Sequence, residues 1–355
     1  PVMKPRIVIV GAGAVGGYCG AHMARAGEDI TFVDPWPEHV EHMRSKGLTV
    51  THAAGVDPFT TPVKALHLTE VQHLSKERPV DIAFVSMKSY DTAWATMLIK
   101  QYLAPGGFIV SLQNCMNEET VAGVVGWGRT LGCIASRILV ELRAPGHVHR
   151  QAGKAGANHT VFRAGEVHGR ITPRAEEVRR LVAHADSAKA TDNLWGERWS
   201  KLVANSMYNG LSAGTGLTSA EVVQHDALRR FSIRLGSEAI RVGQAQGYQL
   251  EEIFHLAPEL IARAGEGDTA ALSEVEAKLL AQHKAVAAEQ RPSMAQDMRK
   301  GRRTEIDFLN GFVVGKGQES GIGTPANAAL TDIVGKVERG QLPPDPRHVT
   351  DLRLN

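Results

Sequence analysis

The second half of this 355-residue chain carries a lysine and two asparagines at the spacing of a single helix face. Lys201, Asn205 and Asn209 are each four residues apart, so they stack on one side of a helix. Asparagine is a poor helix former, and a face that only meets water usually carries several charges. An ammonium group can stabilise negative charge on an oxygen and supply a proton. The pattern therefore favours a functional face over a solvated one.

A second polar cluster occupies residues 291–307. Ser293 is placed to cap a helix, with Gln296 in its capping box, and Thr304 is placed to cap the next helix. These local roles leave Glu305 unexplained. From spacing alone, Glu305 is either a solvated acid or a functional one.

The chain opens with a buried-strand pattern, Arg6–Val10, that turns at once into the run GAGAVGG. Gly11 permits a tight turn, Gly13 lets the backbone approach a pyrophosphate, and Gly16 lets the next helix pack close to the strand. The start of that helix offers unpaired N–H groups to phosphates. Asp34 is the last residue of the following strand. In dinucleotide-binding sites, an acidic residue at this position hydrogen-bonds a ribose hydroxyl. Strand, glycines, helix and acid together predict a dinucleotide site.

Polar residues also follow two later strands. Lys88 comes shortly after the apolar run 80–86, and Ser111 to Asn114 end the strand that begins at Phe108. In open α/β sheets, ligands lie at the carboxyl ends of the strands. A lysine at that edge can meet a phosphate, a ribose or a nicotinamide, or it can simply be exposed.

Strands alternate with helices in the first half of the chain, and helical periodicity dominates from Pro173 onward. This order is typical of βαβ units with a parallel sheet, followed by a helical domain. We expect an α/β chain with a Rossmann dinucleotide-binding domain over residues 1–190, an all-helical domain over 191–342 and a tail over 343–355. Two of the expected helices cover Pro173–Ala188 and Leu250–Ala264.

Composition excludes several classes of protein. The formal net charge of +2 indicates no nucleic-acid or membrane partner, and no apolar run is long enough to span a bilayer. The apolar run at the start ends in glycines and lacks a cleavage-like segment, so it predicts a strand and not a signal peptide. Three cysteines without metal-ligand spacing fit reduced thiols in the cytoplasm. Apolar faces in the helical half favour a homodimer.

His147 and His149 alternate on one face of an expected strand, where a pair of imidazoles could bind a metal. A third ligand is missing nearby in the sequence, so a partly exposed hairpin face is the favoured interpretation. We expect no metal.

Together the motifs resemble the ketopantoate reductase (2-dehydropantoate 2-reductase) family. The matching features follow one another in order: the GAGAVGG run, Lys88, Ser111-Leu112-Gln113-Asn114, Trp199-x-Lys201-Leu202-x-x-Asn205, and Ser293-Met294-x-Gln296-Asp297 with Arg302-x-Thr304-Glu305-Ile306-Asp307. The resemblance spans Arg6 to about Val337. It implies a Rossmann domain followed by a helical domain of the 6-phosphogluconate dehydrogenase-like kind, an active site in the cleft between them, and a place in pantothenate biosynthesis.

The resemblance also implies roles for the matching residues. Lys201 would be the general acid/base that protonates the carbonyl oxygen as hydride arrives, and Glu305 would bond substrate and cofactor hydroxyls. The substrate would be bound by Asn114, Asn205, Asn209 and Ser293, with Asn114 also near the nicotinamide ribose. The cofactor would be held by Gly11, Ala12, Gly13, Ala14, Val15, Gly16, Asp34 and Lys88.

Some residues depart from the family pattern. Most members use NADPH and carry a basic or small polar residue at the position of Asp34. A carboxylate suits the ribose hydroxyls of NAD and repels a 2′-phosphate, so we predict NAD(H), with NADP(H) as the alternative. Cys115 stands where glycine is usual, and Glu141 where small residues are usual. The chain is also longer before Ser293, over residues 254–289, which leaves the substrate open among small 2-oxo and 2-hydroxy acids such as ketopantoate and its analogues.

Two other functions share these features. A β-hydroxyacid or opine-type dehydrogenase has the same Rossmann-plus-helical architecture, although the block from Ser293 to Glu305 argues against it. A non-catalytic NAD-binding sensor would not need Lys201, Asn205, Ser293 and Glu305 intact, and turnover of any 2-oxo acid would exclude it.

Overall fold

The computed structural model describes residues 2–155, 159–283 and 291–354. The chain divides into two compact units, the first ending at Leu194 and the second beginning at Trp195. Among the described helices, none combines the length and the apolar character needed to cross a membrane.

Twelve strands are found among the described residues, all of them in the first unit. In chain order they are β1 (Arg6–Val10), β2 (Asp29–Asp34), β3 (Leu48–His52), β4 (Phe59–Thr61), β5 (Lys64–His67), β6 (Val80–Val85), β7 (Leu103–Ser111), β8 (Thr130–Ala135), β9 (Val140–Ala144), β10 (His147–Arg150), β11 (Phe162–Glu166) and β12 (Ala188–Thr191).

Eight of these strands form the main sheet, in the order β12-β11-β8-β7-β6-β1-β2-β5. Neighbouring strands are parallel, except that β11 runs antiparallel to β8. From β5 to β8 the strands follow the 3-2-1-4-5-6 order of dinucleotide-binding sheets. The other four strands form a small sheet in the order β4-β3-β10-β9.

The central strand β1 shows why the main sheet is buried on both faces. Its apolar residues alternate between two clusters: Ile7 and Ile9 belong to one, and Val8 and Val10 belong to the other. All four are fully buried. Since successive side chains of a strand point to opposite faces, a continuous β-branched run needs apolar cover on both sides.

The described part of the first unit also contains five α-helices: α1 (Ala14–Arg25), α2 (Pro37–Lys46), α3 (Thr92–Lys100), α4 (Glu118–Val125) and α5 (Pro173–Val182). The expected helix over Pro173–Ala188 is wrong at its end, because α5 stops at Val182 and β12 begins at Ala188. Between them the Asp186 carboxylate accepts a hydrogen bond from the backbone N–H of Ser187 at 2.7 Å. Such a local bond offers the backbone an alternative to the helix.

The second unit is helical. Its helices are α6 (Leu194–Thr215), α7 (Ser219–Gln224), α8 (Asp226–Ala245), α9 (Pro258–Gly265), α10 (Thr269–His283), α11 (Ser293–Arg299), α12 (Asn310–Ser320), α13 (Pro325–Glu338) and α14 (Arg347–Thr350). An α/β domain followed by a helical one confirms the expected fold class.

The expected helix over Leu250–Ala264 is wrong in its first half. A tight turn stands there, with Ile253 and Leu256 exchanging two backbone hydrogen bonds of 3.0 Å. The helix α9 begins only at Pro258, its first helical residue. Proline is favoured at that position because its missing N–H would have had no helical partner.

Candidate functional site

The glycine-rich run lies at the carboxyl edge of the main sheet, where the strand order reverses between β1 and β6. Gly11 has a φ of +102°, and a Cβ on it would lie 2.7 Å from the sulfur of Met87. At Gly16 a Cβ would lie 2.1 Å from the carbonyl oxygen of Gly11. The first and third glycines are therefore required by the turn and by the close approach of α1 to β1.

Gly13 has a different environment. It is the N-cap residue of α1, it makes no side-chain capping bond, and the first turn of α1 carries no acid. Apart from Gly13 itself and its two chain neighbours, no described residue has an atom within 4 Å of the position that a Cβ on Gly13 would take. An uncapped helix N-terminus facing open space, with the positive end of its dipole, fits a phosphate group.

The Asp34 carboxylate lies beside this loop. It is 6% exposed, and Oδ2 accepts a hydrogen bond from the backbone N–H of Ala12 at 2.8 Å. Oδ1 accepts another from the N–H of Trp36 at 2.9 Å. Each carboxylate oxygen can accept two hydrogen bonds, so both keep a lone pair for a ribose hydroxyl. Asp34 thus shapes the loop and remains able to bind a sugar.

His39, on α2, holds the same loop from the other side. The ring is fully buried, its Nε2 lies 2.7 Å from the carbonyl oxygen of Ala12, and its Nδ1 accepts a hydrogen bond of 2.8 Å from the N–H of Gly146. These partners assign the hydrogen to Nε2, which donates it to Ala12. His39 therefore links the glycine-rich loop to the turn between β9 and β10.

Tyr18 and His22, on the buried side of α1, belong to a polar network. The hydroxyl of Tyr18 lies 2.8 Å from Nε2 of His52, and Arg150 donates hydrogen bonds to that hydroxyl at 3.1 Å and to Asp186 at 2.5 Å. The His22 ring packs edge-on against Tyr18. Burial, together with the positive charges nearby, lowers the pKa of His22 to about 3. The network braces the helix that carries the phosphate cradle.

Lys88 and Asn114 follow the neighbouring strands β6 and β7. Hydrogen bonds from two side-chain amides hold the backbone next to Lys88 and at Asn114. The Gln113 side chain donates to the carbonyl of Met87 at 2.9 Å, and the Asn117 side chain donates to the carbonyl of Asn114 at 3.0 Å. Lys88 is half-buried and Asn114 is exposed. The structure therefore brings both residues to the edge that also holds the glycine-rich loop.

Cys115, directly after Asn114, adopts a φ of +64° and is buried. A left-handed conformation is unfavourable for a residue with a Cβ, and glycine adopts it without this cost. This explains in physical terms why glycine suits that position. The chain carries local backbone strain beside Asn114.

In the second unit, α6 presents the three polar residues that the spacing predicts on one face. Lys201, Asn205 and Asn209 are all half-buried, whereas Leu202 and Met207 on other faces are buried. Hydrogen bonds anchor other parts of this helix in the unit: Trp199 donates to the carbonyl of Ala239 at 2.8 Å, and Asn310 donates to the carbonyl of Ser206 at 3.0 Å. The polar face is thus presented by a well-anchored helix.

Ser293 is the first residue of α11 and is exposed. The expectation that it caps this helix is wrong, because Pro292 is the N-cap residue and no side chain bonds the helix end. Instead of completing a capping box, the Gln296 side chain donates to the carbonyl of Arg291 at 3.0 Å. The Ser293 hydroxyl is therefore not used as a cap.

Glu305 is 9% exposed and stands directly before a short 3-10 turn, Ile306–Phe308. The preceding residue, Thr304, is buried, and its backbone N–H donates to the Glu338 carboxylate at the end of α13. The expectation that Thr304 caps the next helix is wrong, because Glu305 is the N-cap residue of the turn, although the Thr304 hydroxyl accepts a 3.4 Å hydrogen bond from the N–H of Ile306. A carboxylate on α13 thus anchors the segment that carries Glu305.

His147 and His149 do share one face of β10. Nε2 of His147 and Nδ1 of His149 each lie 2.7 Å from the Thr51 hydroxyl. Over residues 2–155, 159–283 and 291–354, no three histidine, cysteine, aspartate or glutamate side chains are grouped so that they could hold a metal.

The sequence patterns do not predict the roles of three residues: His39, Gln113 as an anchor of the Met87 backbone, and Glu338. His39 could have been noticed, since it lies four residues before the buried Met43 and so shares its inward face. Glu338 shows no such pattern, because its partner Thr304 is distant in the sequence.

Comparison with known proteins identifies the family of this chain. The sequence profile of the family described as ketopantoate reductase PanE/ApbA matches residues 7–159, and the profile of its C-terminal domain matches residues 193–338. A 2-dehydropantoate 2-reductase of Archaeoglobus fulgidus is 31% identical over 341 residues, covering 94% of this chain and 98% of the relative.

Solved structures of similar fold include members of the same family. A 2-dehydropantoate 2-reductase from Geobacter metallireducens GS-15 is 28% identical with a TM-score of 0.75, covering 93% of this chain and 99% of that one. A D-mandelate dehydrogenase, solved with NADH and anilino(oxo)acetate, is 20% identical with a TM-score of 0.76, covering 95% of this chain and 99% of that one. At this identity the second comparison shows a shared fold.

Proposed function

Because this chain belongs to the ketopantoate reductase family, a family of oxidoreductases acting on CH–OH groups, we propose that it transfers hydride between NAD(H) and C2 of a small 2-oxo or 2-hydroxy acid. Ketopantoate or an analogue is the substrate. The observation that carries the proposal is the half-buried line of Lys201, Asn205 and Asn209 on α6. An ammonium group in line with two carboxamides suits a carbonyl that gains negative charge.

The first unit holds the nucleotide. A nicotinamide dinucleotide supplies the hydride. The loop from Gly11 to Gly16 binds the pyrophosphate, for which the uncapped start of α1 and the open space at Gly13 are suited. Lys88 contacts the cofactor at the same sheet edge.

NAD(H) is the proposed nucleotide because of Asp34. Both of its oxygens already accept a backbone N–H, and both can accept a ribose hydroxyl as well. A 2′-phosphate would place negative charge against this buried carboxylate. The D-mandelate dehydrogenase of the same fold was solved with NADH, so the architecture is compatible with this nucleotide.

Residues of the second unit act on the substrate. Lys201 donates a proton to the carbonyl oxygen during reduction and accepts it back during oxidation. Asn205 and Asn209 hold a substrate hydroxyl, and Ser293 binds the carboxylate. Glu305 bonds hydroxyl groups of substrate and cofactor.

Asn114, from the first unit, is proposed to contact both the nicotinamide ribose and the substrate. Its backbone is held by Asn117, which fixes the start of its side chain. A side chain that meets both reactants helps to set the angle and distance at which hydride transfers.

Steady-state oxidation of NADH and NADPH with a panel of 2-oxo acids tests the function. The panel contains ketopantoate, pyruvate, 2-oxoisovalerate and phenylglyoxylate. We expect turnover of at least one acid, with the higher kcat/KM for NADH. Binding of nucleotide without turnover of any acid would contradict the proposal and support a sensor.

A further inference from the structure

The ring of Tyr208, on α6, is contacted by both ends of one stretch of the second unit. Phe254 lies at the start of that stretch, and its ring centroid is 5.5 Å from that of Tyr208 in an edge-to-face arrangement. His283 is the last described residue of α10, and its centroid lies 5.3 Å away. The two outer rings are 6.4 Å apart, so the three form one aromatic cluster.

The turn that presents Phe254 is strained. Phe254 and His255 have φ values of +52° and +59°, side by side in the left-handed region. Two adjacent residues of this conformation form a turn that strongly prefers asparagine and glycine. The turn is nevertheless held in place, because Gln282 on α10 donates a 2.6 Å hydrogen bond to the carbonyl of Phe254. Strained residues of this kind cluster at active sites, ligand clamps and switch regions.

Tyr208 lies beside two of the proposed substrate-binding residues on α6. Tyr208 directly precedes Asn209 and follows Asn205 by three residues, which places it on the adjoining part of the same helix face. Long side chains of a helix lean toward its N-terminus, so the ring lies over the turn that carries Asn205.

Burial separates the roles of the three rings. Tyr208 is 4% exposed. Phe254 and His283 keep part of their surface exposed. Tyr208 is thus the base of the cluster, and the other two rings are the surface that a ligand can touch.

We propose that the cluster of Tyr208, Phe254 and His283 receives the substituent on C2 of the substrate, and that it selects 2-oxo acids bearing a flat aryl group over ketopantoate. This inference rests on the proposed function. An aryl group gains edge-to-face contacts with Phe254 and His283. The branched side chain of ketopantoate, which ends in a hydroxyl, makes no such contacts.

The test is steady-state kinetics of the full chain at saturating NADH with phenylglyoxylate, cyclohexylglyoxylate and ketopantoate. Cyclohexylglyoxylate matches the aryl substrate in size and lacks the π-face. The variants are Phe254→Leu and His283→Leu, which each remove one exposed ring. Tyr208→Phe keeps its ring, and His255→Gly is the matched control in the same strained turn.

We expect phenylglyoxylate to exceed both other acids in kcat/KM. Phe254→Leu and His283→Leu should each lower the ratio of phenylglyoxylate to cyclohexylglyoxylate by roughly 3- to 10-fold, mainly through KM. His255→Gly and Tyr208→Phe should leave that ratio unchanged, because each keeps all three rings.

Two results would overturn the inference while leaving the proposed function intact. The first is a higher kcat/KM for ketopantoate than for phenylglyoxylate. The second is an equal loss with all three acids in Phe254→Leu and His283→Leu, which would indicate a purely structural cluster. Failure to reduce any 2-oxo acid would instead remove the proposed function itself.

Discussion

The Asp34 carboxylate accepts a 2.8 Å hydrogen bond from the backbone N–H of Ala12, which ties the end of β2 to the middle of the glycine-rich loop. The carbonyl of that same residue is held by His39 at 2.7 Å. Ala12 is therefore fixed on both sides of its backbone. The shape of the phosphate cradle depends on two side chains that lie outside it.

Replacing Asp34 by asparagine tests its role in choosing the nucleotide. The side-chain carbonyl of Asp34→Asn can still accept from Ala12, while the negative charge is lost. We expect the ratio of kcat/KM for NADPH to that for NADH to rise by about tenfold, equivalent to ~1.4 kcal/mol. Initial rates with both nucleotides measure it. A native enzyme that already favours NADPH would refute the role given to Asp34.

Replacing His39 by phenylalanine tests the other anchor of Ala12. The carbonyl of Ala12 and the N–H of Gly146 would both lose a buried partner, at a cost of about 1–3 kcal/mol each. We expect the Kd for NADH to rise about tenfold or more and Tm to fall, while the KM for the 2-oxo acid stays unchanged. Glu41→Gln, an exposed change on the same helix, is the control. An unchanged Kd in a folded variant would show that the loop keeps its shape without His39.

Glu338 is expected to act through Glu305. Glu338→Ala leaves the buried N–H of Thr304 without its acceptor, so the adjoining Glu305 loses its fixed position. We predict a fall in kcat of about tenfold and a higher KM for NADH, because Glu305 also bonds a cofactor hydroxyl, whereas Glu338→Gln, which retains an acceptor oxygen, restores most of the activity. Equal kinetics for the alanine and glutamine variants would exclude a positioning role.

The pKa of about 3 at His22 predicts a pH dependence of stability. In the unfolded chain this histidine takes up a proton below its ordinary pKa of 6.5, while in the folded chain it stays neutral. The unfolded state therefore binds more protons between pH 6.5 and about 3, and the free energy of unfolding decreases as the pH falls through that range.

His22→Phe keeps an aromatic ring against Tyr18 and removes the titrating group. Urea unfolding between pH 4 and pH 7 should show a shallower acid-side decline for this variant than for the native chain. The same substitution at the exposed His73 is the control. Identical slopes in the native chain and His22→Phe would mean that other groups cause the acid instability.

A feature can be predicted from this sequence when it depends on residues close together in the chain. Gly11, Gly16 and Asp34 follow from a short stretch in which each residue type answers a backbone requirement, and Lys201, Asn205 and Asn209 follow from helix periodicity. In contrast, β12 has the sequence Ala-Lys-Ala-Thr, with little intrinsic strand preference, and it becomes a strand by pairing with β11.

Two other features were beyond local patterns. The apolar spacing over 250–264 suggests a helix, yet the cluster with Tyr208 and the bond from Gln282 hold Phe254 in a turn instead. The link from Glu338 to Thr304 joins residues far apart in the chain, and nothing near either residue indicates it. Tertiary contacts of this kind override local preference.

Lys201 is proposed to donate the proton to the carbonyl oxygen during reduction and to accept it during oxidation. The most direct test of this role compares Lys201→Ala with the native chain. Oxidation of NADH is followed at saturating 2-oxo acid, and nucleotide affinity is measured in parallel by fluorescence titration. Lys336→Ala, which removes a half-exposed lysine from α13, is the control. We predict that kcat falls by roughly 10²- to 10⁴-fold in Lys201→Ala while the Kd for NADH is unchanged. A kcat within about threefold of the native value would contradict the account.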